Sequence, residues 1–300
     1  MGKEVLRKRL LLPQKSRRMR FIDCCTFYNE VDMLFYRLSL LSEYVDKFVI
    51  VESTRTFAGH SKPSFFLQNK ARFEPFLDRI VHIIDPMFLS NEEMRDDPNV
   101  EKYWKNENQQ RNFMHHGIVA LNLEAEADPE AETTTYLTIC DVDEIPNPAL
   151  YRALRSGQMK PFQNMTLAMH MYYYNLTCYM NESWEFPKMI SYKHYKAHFW
   201  GTPQAVRVRN ESVDAVVENG GWHLSYFGDA QFVSNKMKNF AHMEYSDDQF
   251  ANVDHISRHM ENCASHIGNT TLTRIPVAEN KNLPPLCNDY LSKFMVTDIQ

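Results

Sequence analysis

The sequence is poor in glycine and has no long apolar run. Only 9 of its 300 residues are glycine, against 19 Phe, 15 Tyr and 4 Trp. This scarcity argues against a glycine-looped repeat protein and favours a packed fold with many aromatic surfaces. The first twenty residues are basic, and their longest apolar run, residues 10–12, ends at Pro13. Because such a run is too short for a signal sequence or a membrane anchor, the sequence predicts a soluble, cytoplasmic protein without a membrane span.

An excess of positive charge is also missing. The chain has 33 Lys and Arg against 38 Asp and Glu, which gives a net charge of −5. No basic field is therefore available to neutralise a nucleic-acid backbone, and nucleic acid is not an expected partner. With 44% hydrophobic and 24% charged residues, the chain is expected to be globular, since this composition excludes a disordered or low-complexity protein.

The cysteines lack the short paired spacing of a zinc site. The six are scattered along the chain, at Cys24, Cys25, Cys140, Cys178, Cys263 and Cys287. We expect most of them to be reduced and buried.

The first half of the chain alternates strand-like and helix-like segments, which is typical of a parallel α/β sheet. Strands are predicted at 21–27, 47–51, 79–84 and 135–140, and helices at 31–41, 67–77 and 100–125. In the second half, β-like stretches are predicted at 167–174, 189–192 and 205–208, and helices at 230–244 and 247–261. With no internal repeat, the chain is divided into a basic extension (1–19), one α/β domain with an aromatic-rich C-terminal elaboration (20–275) and a tail (276–300).

The strongest local signal follows the last predicted strand of the first half. There, Asp141 and Asp143 have a spacing of two, which points both carboxylates to one side. Such a pair can hold Mg²⁺ or Mn²⁺ against a diphosphate. Ligands of an open α/β sheet bind at the carboxyl ends of its strands, where Glu30 and Glu52 are also expected. The alternative is an acidic strand-to-loop turn closed by Pro146.

A second signal is the sequence Gly-Gly-Trp-His at 220–223. A glycine pair allows close approach of the backbone to a ligand, Trp222 offers a stacking face, and His223 offers an imidazole. Taken alone, His223 is more readily interpreted as an ordinary core or surface histidine, and only its combination with the aspartates favours a site.

A third candidate lies in the predicted helix at 100–125. Glu107 and Arg111 have an i,i+4 spacing, which is typical of a surface ion pair. The functional alternative places Arg111 on a phosphate or a carboxylate.

An aromatic cluster in the second half can either stack on sugar rings or form core, and we favour core. Its members are Tyr172, Tyr173, Tyr174, Trp184, Tyr192, Tyr195 and Trp200.

Taken in order, these motifs resemble those of glycosyltransferase family 17. The similarity spans roughly residues 20–245 and rests on Asp-x-Asp-Glu-Ile-Pro and Gly-Trp-His occurring together. The segments that carry it are 29–38, 45–53, 110–111, 141–146, 221–225 and Lys236.

The resemblance implies a GT-A-like fold and a metal-dependent, inverting transfer of a sugar. The family includes the enzyme that adds the bisecting N-acetylglucosamine to N-glycans, which implies UDP-N-acetylglucosamine as donor and a glycan or glycoprotein as acceptor. By the same resemblance, Asp141, Asp143 and His223 bind the metal ion, Mn²⁺ or Mg²⁺. The implied donor-binding residues are Glu30, Glu52, Arg111, Trp222 and Lys236.

The implied chemistry is consistent with the residues present. A nucleotide diphosphate leaves poorly unless its charge is neutralised, and a bound cation does this as a Lewis acid. Inversion also needs a carboxylate that deprotonates the acceptor hydroxyl. The sequence does not choose among the candidate bases, which are Glu107, Glu144, Asp229 and Glu244, and Asp143 is expected to be catalytic as well as metal-binding.

Two other functions and a second compartment stay open. A phosphohydrolase of the haloacid dehalogenase type also uses Asp-x-Asp after a strand, but a Thr or Val typically stands where this chain has Ile145. A non-catalytic carbohydrate-binding protein would use the aromatic faces without needing the aspartates. Because animal members of family 17 carry a membrane anchor and act in the Golgi, the Golgi lumen is the alternative compartment if the sequence is a truncated form.

Overall fold

The computed structural model describes one mixed sheet flanked by helices. The described residues are 18–86, 88–96, 102–124, 133–209, 213–241, 245–247, 249–268 and 270–295.

The described part of the chain forms ten strands. They are β1 (Arg18–Thr26), β2 (Lys47–Ser53), β3 (Ile80–Asp85), β4 (Thr133–Asp141), β5 (Glu144–Pro146), β6 (Asn164–Tyr173), β7 (Cys178–Trp184), β8 (Lys188–Ser191), β9 (Ala215–Ser225) and β10 (Leu272–Arg274). The α-helices are α1 (Val31–Leu41), α2 (Phe65–Gln68), α3 (Asn91–Asp96), α4 (Lys102–Ala120), α5 (Pro148–Arg155), α6 (Tyr192–His198), α7 (Pro203–Val208), α8 (Ala230–Asn239), α9 (Val253–Glu261) and α10 (Cys287–Tyr290). Shorter 3-10 segments span Lys70–Arg79, Val277–Glu279 and Ser292–Phe294.

The first four strands form the parallel part of the sheet, in the order β3-β2-β1-β4. Thr26 at the end of β1 lies opposite Val51 in β2 and Asp141 in β4. Because these strands are parallel, their carboxyl ends emerge at one edge of the sheet. This arrangement confirms the predicted α/β class and is consistent with a GT-A-like single domain.

The remaining strands extend the sheet beyond β4 in the order β8, β6, β7 and β10, through antiparallel pairing. Strand β9 lies parallel to β6 and antiparallel to the short β5. In the β5–β9 pair, Glu144 lies opposite His223 and Pro146 lies opposite Gly221. The two strongest sequence motifs, which are far apart in the chain, are therefore neighbours in the sheet.

Gly220 and Gly221 make this strand pairing possible. A Cβ atom on Gly221, whose φ is +156°, would lie 2.2 Å from the carbonyl oxygen of Ile145, and one on Gly220 would lie 2.8 Å from the Cα of Leu167. The glycine pair therefore serves the close approach of β9 to β5 and β6. This corrects the sequence interpretation, in which the pair gave room to a ligand.

Helices cover both faces of the parallel part. Leu34 and Leu38 of α1 belong to the core on one face, and Met114 and Ile118 of α4 belong to the core on the other, all fully buried. Burial of each such side chain stabilises the fold by about 1.5–3 kcal/mol. Anchored in this way, the sheet holds its strand ends in fixed positions.

Two local predictions are wrong. Residues 205–208 belong to helix α7 and not to a strand, since Pro203 at its first turn is preorganised for a helix. Three apolar residues and Arg207 are too short a stretch to show a distinguishing period. The helix predicted at 67–77 is realised as the single turn α2 and the 3-10 segment Lys70–Arg79, which contains Pro75. A proline in this position removes a helical hydrogen bond.

The predicted tail is described up to Met295 and packs against the domain. Leu291 is fully buried in the core that also contains α1. The hydroxyl of Tyr36 donates to the carbonyl of Pro285, and the indole N–H of Trp222 donates to the carbonyl of Asn282. The predicted extension 1–19 lies outside the described residues except for its last two, which open β1.

Four cysteines are free and buried, as expected: Cys24, Cys25, Cys140 and Cys287. Burial raises the pKa of the Cys25 thiol to about 12. Cys178 and Cys263 form a disulfide that ties β7 to the residues after α9. No helix in the described ranges has the length and apolar character needed to cross a membrane.

Candidate active site

A cavity of about 550 Å³ opens where β1 and β4 end. Its walls combine charged residues from strand ends and helices with aromatic residues, most of which come from the second half of the chain. The charged and polar lining residues include Thr26, Glu30, Lys62, Glu107, Gln110, Arg111, Asp141, Asp143, Arg207, His223 and Lys236. The aromatic ones include Tyr28, Tyr173, Trp184, Phe186, Tyr226, Phe240 and Tyr245.

Asp141, the first carboxylate of the motif, is held by two guanidinium groups. Its Oδ1 accepts from Nε of Arg111 at 3.0 Å and from the hydroxyl of Thr26 at 2.9 Å. Its Oδ2 accepts from Nη2 of Arg111 at 2.9 Å and from Nη2 of Arg207 at 3.2 Å. Burial raises the pKa of Asp141, but the two arginines lower it more and hold it well below its usual range. A metal ion on Asp141 would have to displace a guanidinium group, so this role stays a prediction.

Asp143, the second carboxylate, lies beside Lys236 and His223. Its Oδ2 accepts from Nζ of Lys236 at 3.1 Å, and its Oδ1 lies 3.7 Å from Nε2 of His223. Burial raises the pKa of Asp143, but Lys236 and His223 outweigh it and leave that pKa below its usual value. The structure therefore brings together Asp143, His223 and Lys236, which the sequence places in one site.

Glu144 is fully buried behind Arg207 and does not line the cavity. Its two oxygens accept from Nη1 and Nη2 of Arg207 at 2.6 and 2.5 Å. It also accepts from the indole N–H of Trp184 and from the backbone N–H of Asp141, each at 2.6 Å. Since all of these donors engage it, Glu144 is placed to orient Arg207 and not to deprotonate an acceptor.

Glu107 lines the cavity from helix α4. Its Oε1 accepts from Nη2 of Arg111 at 2.5 Å. Its Oε2 is buried and has no hydrogen-bond partner among the described residues. A buried carboxylate oxygen without a donor is costly, and its occurrence in a cavity indicates a place for a ligand hydroxyl.

Two predicted donor-binding residues do not line the cavity. Glu52 accepts from Lys62, from Ser64 and from the first backbone N–H groups of α2, so it is Lys62 that reaches the cavity. Trp222 packs in the core below β9. Glu52 and Trp222 are both buried in the protein, and nothing in the sequence next to them predicts this burial.

The other two candidate bases are also elsewhere. The exposed Asp229 caps helix α8 by accepting from the N–H of Phe232 at 2.7 Å. Glu244 lies outside the described residues.

Buried polar groups brace the strand ends from below. Arg37 of α1 donates to both oxygens of Asp23 at 2.7 Å and to the carbonyls of Asp141 and Glu144 at 3.0 and 2.6 Å. Gln110 donates to the carbonyl of Phe27, which follows β1, and to the carbonyl of Val51 in β2. No sequence pattern marks this role of Arg37, although the residue lies within segment 29–38, the first of those that resemble family 17.

The aromatic cluster predicted from the sequence divides between core and cavity. Tyr172 and Tyr195 are fully buried, whereas Tyr173 and Trp184 line the cavity beside Phe186, which is 46% exposed. The indole ring of Trp184 lies 4.6 Å from the ring of His223. Aromatic and charged side chains are thus neighbours in the cavity lining, as Arg207 and Phe186 also show with 5.5 Å between the guanidinium carbon and the ring centroid.

A divalent cation is compatible with Asp143 and His223 together with a ligand. The described ranges contain no group of three or more His, Cys, Asp or Glu side chains placed to hold a metal ion. Asp143 and His223 provide one carboxylate and one imidazole, a donor set that suits Mn²⁺. Metal ions at nucleotide sites commonly complete their shell with substrate phosphates and water. The residues therefore fit a cation bound with a diphosphate, and not an all-protein cage.

Parallel strands that end at a cavity lined by both positive and negative side chains are typical of an α/β enzyme that acts on a charged ligand. The sequence model of glycosyltransferase family 17 matches residues 11–267. The chain belongs to this family and is a glycosyltransferase, as the resemblance in its motifs implied. A comparison with curated proteins found no match.

Proposed function

We propose that the chain transfers N-acetylglucosamine from UDP-N-acetylglucosamine to a hydroxyl group of a glycan, with inversion and with the help of a divalent cation. The observation that carries this proposal is the meeting of Arg111, Arg207 and Lys236 with Asp141 and Asp143 at the strand ends. Family membership supports the transferase reaction, and the cavity supports the choice of residues.

The cationic side chains serve the leaving group. Arg111 and Arg207 are almost fully buried, and Asp141 fixes both of their guanidinium groups. Fixed positive charges in a water-poor cavity stabilise developing negative charge far more than they would in water. A cation bound by Asp143 and His223 would add Lewis-acid neutralisation of the departing diphosphate.

Glu107 serves as the base in this proposal. Asp143 is engaged by Lys236 and Glu144 by Arg207, whereas Oε2 of Glu107 has no donor within the described ranges. The acceptor oxygen forms the bond to the anomeric carbon while the bond from that carbon to the diphosphate oxygen breaks. The hydroxyl proton passes to Glu107, and the electron pair of the broken bond stays on the diphosphate.

The disulfide between Cys178 and Cys263 bears on the compartment. Disulfides persist in oxidising compartments and are rare in the cytosol. We therefore propose a secretory compartment such as the Golgi lumen in place of the cytoplasm.

The donor is tested by thermal unfolding with a panel of nucleotide sugars, each with and without Mn²⁺. UDP-N-acetylglucosamine with Mn²⁺ is expected to raise the midpoint of unfolding most, because a ligand that binds only the folded state stabilises it by mass action. Stabilisation by a different nucleotide would reassign the donor. No stabilisation by any nucleotide sugar, together with hydrolysis of simple phosphomonoesters, would favour the phosphohydrolase alternative.

A further inference from the structure

The ammonium group of Lys236 lies between two carboxylates at the edge of the cavity. Its Nζ is 3.1 Å from Oδ2 of Asp143 and 3.5 Å from Oε1 of Glu30. The rings of Tyr226 and Phe240 lie 5.6 and 6.0 Å from the same atom. A lysine ammonium is charged at neutral pH, and the two neighbouring carboxylates favour that charge. Lys236 therefore brings a positive charge into the site.

Lys236 donates to the carboxylate of Asp143, which a metal ion would need as a ligand. Oδ2 of Asp143 accepts from Lys236, and the other oxygen lies beside His223. Glu30 cannot readily turn away, because its Oε2 accepts the backbone N–H groups of Tyr28 and Asn29 at 3.2 and 3.1 Å. A divalent cation arriving alone would meet the lysine charge at close range, and like charges in a buried site repel strongly.

A nucleotide diphosphate removes this conflict. Its oxygens can accept from the lysine ammonium, which is a common phosphate-binding group. The lysine side chain is a flexible stem, while its helix is fixed by the Asp229 cap and by Met237, which is buried in the core. The side chain can therefore change partners while α8 stays in place.

We propose that the ammonium group of Lys236 occupies the position beside Asp143 at which a metal ion would bind. When a nucleotide diphosphate binds, its oxygens accept hydrogen bonds from this ammonium group in place of Asp143, and the metal position becomes accessible. Lys236 is then a positioning residue that couples metal binding to donor binding. This inference rests on the proposed function, since it requires a nucleotide diphosphate as ligand. By linkage, the factor by which UDP tightens Mn²⁺ binding equals the factor by which Mn²⁺ tightens UDP binding.

The test measures Mn²⁺ binding directly, by the electron paramagnetic resonance signal of the free ion, with and without UDP. The wild-type protein is expected to bind Mn²⁺ at least about tenfold more tightly with UDP than without it, as expected for allosteric couplings of 5–150-fold. Lys236→Met is expected to bind Mn²⁺ without UDP more tightly than the wild type and to lose most of the effect of UDP. Lys236→Arg keeps the charge and is expected to behave like the wild type.

Lys238→Met is the matched control, because Lys238 is an exposed residue of the same helix and does not line the cavity. Near-ultraviolet circular dichroism checks that each variant is folded, and Lys236→Gln replaces the Met variant if that one is not. Equal affinity of the wild type for Mn²⁺ with and without UDP would overturn the inference, and so would an unchanged Mn²⁺ affinity in the folded neutral variant. If UDP binds but this coupling is absent, only the role of Lys236 fails. If UDP does not bind under any condition, the proposed function fails and this inference fails with it.

Discussion

Arg207 and Glu144 form a two-point ion pair in which Nη1 and Nη2 donate to the two carboxylate oxygens at 2.6 and 2.5 Å. Glu144 is fully buried, whereas Arg207 lines the cavity and also reaches Asp141. The pair therefore fixes a guanidinium group at the site where the leaving group is expected.

Replacing Arg207 by Lys tests the value of this geometry. Lysine keeps the charge but cannot make the two-point contact, so we expect kcat to fall at least about tenfold, towards the 10²–10³ typical of a lost charge-stabilising donor. Steady-state kinetics with the donor checks this, with unfolding curves to show that the variant is folded. If a folded Arg207→Lys variant kept the wild-type kcat, Arg207 would not be needed to stabilise the leaving group.

Glu107→Gln tests the proposed base. The change keeps the size of the side chain but removes the proton acceptor, so we expect kcat to fall by about 10²–10⁴. The affinity for UDP should change little, because Arg111 keeps its two hydrogen bonds to Asp141. Calorimetric titration with UDP and initial rates separate the two effects. A large loss of UDP affinity with an unchanged kcat would instead assign Glu107 to donor binding.

Arg207 is a part of the site that the sequence does not predict. The acidic residues at the ends of the predicted strands were found because parallel strands deliver their carboxyl ends to one edge. Arg207 comes from a six-residue helix that was predicted as a strand, and it meets Glu144 across 63 positions of the chain. No local pattern marks such a partner.

The motifs that resemble family 17 predict that His223 and Asp143 lie close together. They do not predict the strand pairing that brings the two residues together. Strand β9 returns beside β5 so that His223 lies opposite Glu144, and this register depends on glycines that pack on other strands. Trp222, next in sequence to His223, consequently points into the core. Neighbouring residues of a strand face opposite sides, so only one of the two could line the cavity.

Glu52 is expected to support folding and not catalysis. Burial raises the pKa of Glu52, but the hydrogen bond from His82 and the charge of Lys62 lower this pKa by more. The pKa of Glu52 is therefore below its usual value. The carboxylate therefore contributes stability that is present above the unfolded-state pKa of about 4.5 and is lost as the pH falls below it. Glu52→Gln should lower the free energy of unfolding at pH 7 by about 3–5 kcal/mol.

Urea unfolding of the Glu52 variant at several pH values measures this effect. The difference in the free energy of unfolding between the wild type and the variant should become smaller as the pH falls below the unfolded-state pKa of Glu52. Glu124→Gln is the control, because the ion pair of Glu124 with Lys196 is exposed and such pairs contribute about 0–1 kcal/mol. A gap that does not change with pH would contradict the electrostatic explanation.

The disulfide predicts a thiol count. Unfolded, unreduced protein should react with a thiol reagent at four cysteines, and reduced protein at all six. Replacing both Cys178 and Cys263 by Ser should lower stability by about 4–5 kcal/mol, since the bridge closes a separation of 85 residues. Six reactive thiols before reduction, in protein purified from an oxidising compartment, would remove the bridge and the argument for that compartment.

The central claim is that the cavity at Asp141 and Asp143 is the site of sugar transfer. The most direct test is the rate of UDP release from UDP-N-acetylglucosamine in Mn²⁺ with a glycan acceptor, for the wild type and for Asp143→Ala. We expect turnover by the wild type and a loss of at least about 10²–10³ in the variant, since it lacks both the partner of Lys236 and a ligand for the cation. A folded variant that releases UDP at the wild-type rate would contradict the account.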